Sequence, residues 1–257
     1  MAIQRVLFPS PWPAPDVPRR LDEAMAPLMR QEVRAEMTVV GTPEVRAGLS
    51  RIVDRLVAAV PEPLRPGAGP SPTIEVMVIR SPQINAFTLP GGLICVDTGL
   101  LRAVGSPQEL AAVLSHEMSH VVHRDPLSLL AARLGMAALM SILGTRTGAA
   151  VIQNAIGELV SARYGRAAED QADRFAVDLL ASAGLDPESF AEALSRMREA
   201  GARTPALLKY LDPHSPIDER ISRARDQAHR VKGGPASEAE RPLDVDWQTL
   251  LAALPKE

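Results

Sequence analysis

The segment that most constrains this chain is His116-Glu117-Met118-Ser119-His120. Ser106-Pro107-Gln108-Glu109 reads as a capping box with proline at the first helical position. Leu110, Val113, Leu114, Met118 and Val121 follow at helical spacing, so the motif is predicted to lie on one continuous helix. Positions i and i+4 share a helix face one turn apart, and two imidazoles placed there can bind one zinc ion. Glu117 sits roughly 100° further round, within reach of a water on that ion. Zinc acidifies such a water, and a carboxylate can take its proton. The periodicity sets both histidines off the apolar stripe of Leu110, Leu114 and Met118.

A catalytic zinc needs a third protein ligand and an open position. Glu169 and Asp173 stand at i and i+4 on a separately predicted helix. Two acids at that spacing are ordinarily a solvated face; the upstream histidines reverse that reading. Glu169 is the candidate ligand. Asp173, one turn on, can bond the far nitrogen of a ligand histidine and fix its tautomer. His123 lies roughly 10 Å along the helix from His116, too far for one ion to take both. It reads as a supporting or exposed residue. His214 precedes another predicted helix, and His229 carries no signal.

Elsewhere the pattern divides the chain into three parts. Residues 1–20 form a proline-rich arm, 21–232 the main domain, and 233–257 a linker with a short final helix. Helices are expected at about 21–36, 43–60, 106 onward, 158–183, 187–200 and 217–231. Met37–Val40 is a short β-prone run. Residues 74–98 are the clearest β region, in which Pro90-Gly91-Gly92 marks a turn of a hairpin or meander. Leu127–Leu143 is strongly apolar but only 17 residues long and contains Arg133. It reads as a buried or lid-like helix near the cleft rather than a membrane span.

With a net charge of −3 and a pI near 6.0, no basic face is implied, and nucleic acid is not an expected partner. The single cysteine, Cys95, excludes an internal disulfide framework. The N-terminus as given has no long apolar core of a signal peptide, which points to the cytoplasm. A leader removed before numbering began leaves a periplasmic or membrane-associated location open. Peripheral contact with a membrane also stays open, as does the oligomeric state.

Four segments carry a resemblance: NAFTLPGG at 85–92, HEMSHVVHRD at 116–125, RAAEDQAD at 166–173 and HSPIDERI at 214–221. Together the chain resembles the gluzincin family that contains the CAAX prenyl endopeptidase, the HtpX heat-shock protease and their periplasmic quality-control relatives. The HExxH pattern is itself a metalloprotease signature. The resemblance implies a mostly helical α+β, zincin-like metallopeptidase domain with a small β-sheet. It implies one Zn2+ per chain on His116, His120 and Glu169, with Glu117 as general base. Asn85, Ala86, Phe87 and Thr88 would pair with an extended polypeptide substrate by β-augmentation. His214 and Arg220 would stabilise the oxyanion. The implied activity is a zinc endopeptidase acting on unfolded or extended chains, with a possible role in protein quality control. Two rivals stand beside it: a chaperone or adaptor with a latent zinc site, and a structural metal site completed by His214. The arm and the final helix are expected to lie where they can cover the cleft.

Overall fold

The computed structural model describes residues 19–61, 64, 73–137, 139, 156, 157, 159, 164–203, 216–232 and 241–256. Its centre is a four-stranded sheet. The strands are β1 (Val39–Val40), β2 (Glu75–Ile79), β3 (Ala86–Leu89) and β4 (Leu93–Asp97), in the order β1-β2-β4-β3. β3 and β4 are an antiparallel hairpin closed by Pro90-Gly91-Gly92, as the turn signal implies. The meander alternative fails, because β2 pairs with β4 in parallel. The chain crosses from β2 to the far edge, lays down β3 there, and returns β4 through the middle.

Side chains alternate across this sheet, and each face has its own core. Met77, Ile79, Phe87, Leu89, Leu93 and Cys95 point to one side. They are covered by α1 (Arg19–Glu36) through Leu21, Met25, Met29 and Val33, and by α5 (Asp125–Leu134) through Leu127, Leu130 and Ala131. Val78, Ala86, Ile94 and Val96 point the other way. There they meet α2 (Pro43–Ala59), α3 (Thr98–Ala103) and α4 (Pro107–His123), backed by α6 (Arg166–Ser182), α7 (Ser189–Arg203) and α8 (Ile217–Lys232). The mostly helical α+β architecture agrees with the sequence reading.

The last helix, α9 (Trp247–Ala252), packs on α2. The fit is close enough that a Cβ on Gly48 would stand 2.5 Å from Leu250. Beyond it, the carbonyls of Pro255 and Lys256 accept from Arg102 and Arg80, both at 2.8 Å. This segment therefore braces α2 and the end of β2 rather than covering the histidines. Residues 1–18 of the N-terminal arm and 233–240 of the linker lie outside the described residues.

Two predicted helices differ. The apolar run 127–143 is not one helix. α5 begins earlier, at Asp125, and stops at Leu134, because Gly135 takes φ +80° and breaks the ladder. Residues 138 and 140–155 lie outside the described set. Among the described residues no helix is long and apolar enough to cross a membrane. The helix expected from about Glu158 is interrupted at Tyr164 and Gly165, and α6 starts afresh at Arg166.

Candidate metal centre

α4 begins as its sequence dictates: the Ser106 hydroxyl accepts from the Glu109 N–H at 3.1 Å, with Pro107 behind it. The reciprocal half of the box is displaced. The Glu109 carboxylate takes the Gly105 N–H at 2.8 Å and the Arg196 guanidinium at 2.8 Å. The helix is wedged between the sheet and α6, so its polar face is buried along with its apolar stripe. His116, Glu117 and His120 are 3%, 4% and 2% exposed. A helix buried all round with this polar content needs partners for each group, and it has them.

The two imidazoles converge. His116 Nε2 and His120 Nε2 stand 3.3 Å apart. Glu169, in the first turn of α6, brings its carboxylate oxygens to 3.5 Å from the former and 3.8 Å from the latter. Ligand atoms of His116, His120 and Glu169 all lie within 4.8 Å of one another. Each far nitrogen faces a carboxylate: His116 Nδ1 lies 3.1 Å from Asp173 Oδ1, and His120 Nδ1 lies 2.8 Å from Asp125 Oδ2. Those carboxylates hold the proton on Nδ1 and turn both Nε2 lone pairs toward the same point. Two lone pairs at that separation repel unless a cation or a proton lies between them. The donor set therefore fits a metal ion of zinc's ligand preference.

Electrostatics agree. Burial pulls the His116 pKa down, but hydrogen bonding and charge from Asp173 and Glu169 outweigh it and raise it to about 9. Burial pushes Glu169 up, yet His116, His120 and Arg220 together lower it to about 2. Asp173 is held well below the usual carboxylate range; burial opposes this, and Arg220 with His116 prevails. The site is built for anionic ligands around a positive centre.

Glu117 is held from the sheet. The Thr88 hydroxyl donates to Glu117 Oε2 at 2.7 Å, and lies 3.2 Å from the Glu117 carbonyl. β3 is the end strand of the sheet, as backbone pairing with a peptide requires. Asn85, Ala86, Phe87 and Thr88 are all buried. Aromatic rings bound the histidines. Tyr164 lies against His120 with centroids 4.2 Å apart, and Phe190 stacks on His116 at 5.8 Å.

Arg220 is 1% exposed and grips Asp173 with both arms, Nε to Oδ2 at 2.9 Å and a terminal nitrogen to Oδ1 at 2.7 Å. Its terminal nitrogen also lies 3.9 Å from Glu169 Oε2, so it meets both acids that α6 brings to the histidines. His123 turns away from the metal point, toward the Ser119 carbonyl at 2.8 Å and Gln171 at 2.6 Å. His214 lies outside the described residues. His229 is largely exposed near Glu188.

Sequence reasoning missed Asp125 and the anchoring role of Thr88. Asp125 is five residues beyond His120, where helical spacing places nothing. It reaches back because Arg124 takes the left-handed conformation (φ 60°, ψ 33°) and turns the chain at the end of α4. Neither side chain's partner was encoded by periodicity.

The model for Peptidase family M48 matches residues 43–228. The chain is 27% identical to the beta-barrel assembly-enhancing protease of Yersinia pestis, over 84% of this chain and 46% of that protein. It is 33% identical to the mitochondrial metalloendopeptidase OMA1 of Arabidopsis thaliana, over 60% of this chain and 31% of that one. It is 26% identical to the metalloprotease YcaL of Escherichia coli K12, over 60% of this chain and 62% of that protein. The chain thus spans less than half of the first two relatives.

Proposed function

The chain belongs to peptidase family M48, and from that footing we propose that it is a zinc-dependent endopeptidase for extended or unfolded polypeptides. The observation that carries this is the convergence of His116, His120 and Glu169, with Glu117 fixed beside them by Thr88. Zinc, when bound, supplies Lewis acidity that acidifies a water and polarises the scissile carbonyl. The protein's own residues do the rest. Asp173 and Asp125 keep both imidazoles in the binding tautomer. Glu117 accepts the proton of the attacking water and passes it to the departing amide nitrogen. Thr88 aims that carboxylate. Arg220 holds Asp173 and approaches Glu169, which makes it a positioning residue; the oxyanion role anticipated for it rests on the resemblance. The oxyanion assignment of His214, and the pairing of substrate with Asn85, Ala86, Phe87 and Thr88, rest on the resemblance. A quality-control role is supported by relatives named for beta-barrel assembly and for the mitochondrion.

The test is digestion of an unfolded casein by chain stripped with chelator and titrated with zinc. Internal fragments appearing in step with one equivalent of zinc are expected. Single residues released from an end, or cleavage by the stripped chain, would refute the proposal.

A second outcome follows from the raised His116. Its folded value of about 9 exceeds the unfolded 6.5. In the metal-free chain, this pairing stabilises the fold fully below about pH 6.5, and the contribution is lost as pH rises toward 9. Near pH 7.5 the imidazole is protonated, so zinc must displace that proton. Calorimetry in buffers of different ionisation heat should show about one proton released per zinc, and apparent affinity rising roughly tenfold per pH unit until about pH 9. Affinity independent of pH from 7 to 9 would contradict this electrostatic picture.

A further inference from the structure

α1 lies outside residues 43–228, the part matched to the family, yet it touches the site at two removes. Asp22, in its first turn, is 3% exposed. Its Oδ1 accepts from the Gly91 N–H at 2.8 Å, and its Oδ2 from Arg124 Nε at 3.0 Å. Gly91 is in the turn between β3 and β4 at φ +86°, and a Cβ there would come within 2.5 Å of Ala26 on α1. Arg124 is the joint between α4 and α5. Among the described residues it is the only non-glycine with positive φ. Such a position favours glycine, so the arginine stands there against its backbone preference.

Directly after Arg124 comes Asp125, which takes the His120 Nδ1 proton. Shortly before Gly91 comes Thr88, which holds Glu117. One buried carboxylate therefore fastens the joint that aims a metal ligand and the turn that ends the strand aiming the base. We propose that Asp22 is a positioning residue for the metal centre, acting on His120 through Arg124; this rests on the peptidase reading above.

The test uses the whole chain with Arg124→Gly, Asp22→Asn and the double variant. Zinc affinity is read by competition with a chromophoric chelator, and turnover by cleavage of casein. Arg124→Gly provides the residue the backbone prefers but leaves Asp22 without its partner, so a merely structural arginine would change Tm and leave zinc affinity and kcat as in wild type. A positioning role lowers zinc affinity and kcat roughly tenfold with KM within about twofold. The double variant should then lose less than the two single losses combined, because both substitutions break the Asp22–Arg124 pair. Zinc affinity and kcat within twofold of wild type in Arg124→Gly, or losses that multiply in the double variant, would overturn the proposal. Should Asp22→Asn not fold, Arg124→Gly decides alone. A wild type that binds zinc without cleaving casein counts against the peptidase reading, while the chelator competition still decides this one.

Discussion

Replacing Glu117 by glutamine should leave zinc bound and lower peptide hydrolysis at least about 100-fold, the lower end of what a positioned general base contributes. Glutamine has nearly the shape of glutamate, and its amide oxygen can still accept from Thr88. The three ligand atoms come from other residues, so the metal set is untouched. Only the ability to take a proton from water and return it to the leaving nitrogen is lost. Because that step belongs to the transition state, the loss should fall on kcat, with KM little changed. A loss confined to KM would mean that Glu117 contacts substrate rather than water.

Arg220→Ala should destabilise the metal-free chain by about 3–5 kcal/mol, the usual effect of removing one partner from a buried ion pair. Arg220 lies 1% exposed beneath α6 and makes two hydrogen bonds to Asp173. Without it, Asp173 keeps its burial but loses the charge that holds its pKa down. The carboxylate then either stays ionised at a high energy or takes a proton. In either case its support of His116 Nδ1 weakens, and zinc affinity should fall roughly tenfold. Arg220→Lys retains charge but not the planar fork, and should lie between the two. Urea unfolding of the stripped protein reads the first effect and chelator competition the second. A change below about 1 kcal/mol in Arg220→Ala would show that the pair is not set as described.

The ligand set was legible because it is local. His116 and His120 share a face through helical spacing alone, and Glu169 with Asp173 does the same on α6. The turn at Pro90-Gly91-Gly92 and the cap at Ser106 were legible for the same reason, each being fixed by a residue's own backbone preference. What escaped the sequence depends on contacts between distant segments. The parallel pairing of β2 with β4 is set by how the two sheet faces bury their alternating side chains. Asp125 meets His120 only because Arg124 reverses the chain. Asp22 reaches Arg124 across 102 residues. Arg220 pointed to the site through resemblance, but its partner was set by the packing of α8 on α6. The helices expected over 127–143 and 158–183 are longer than those observed, because apolar periodicity does not register the breaks at Gly135 and at Tyr164-Gly165.

The most direct measurement is zinc content and casein cleavage, taken side by side on wild type and Glu117→Gln. One zinc per chain in both proteins, with cleavage by wild type alone, is the expected result. Equal cleavage by both, or no zinc in either, would contradict the assignment of His116, His120 and Glu169 as a metal site served by Glu117.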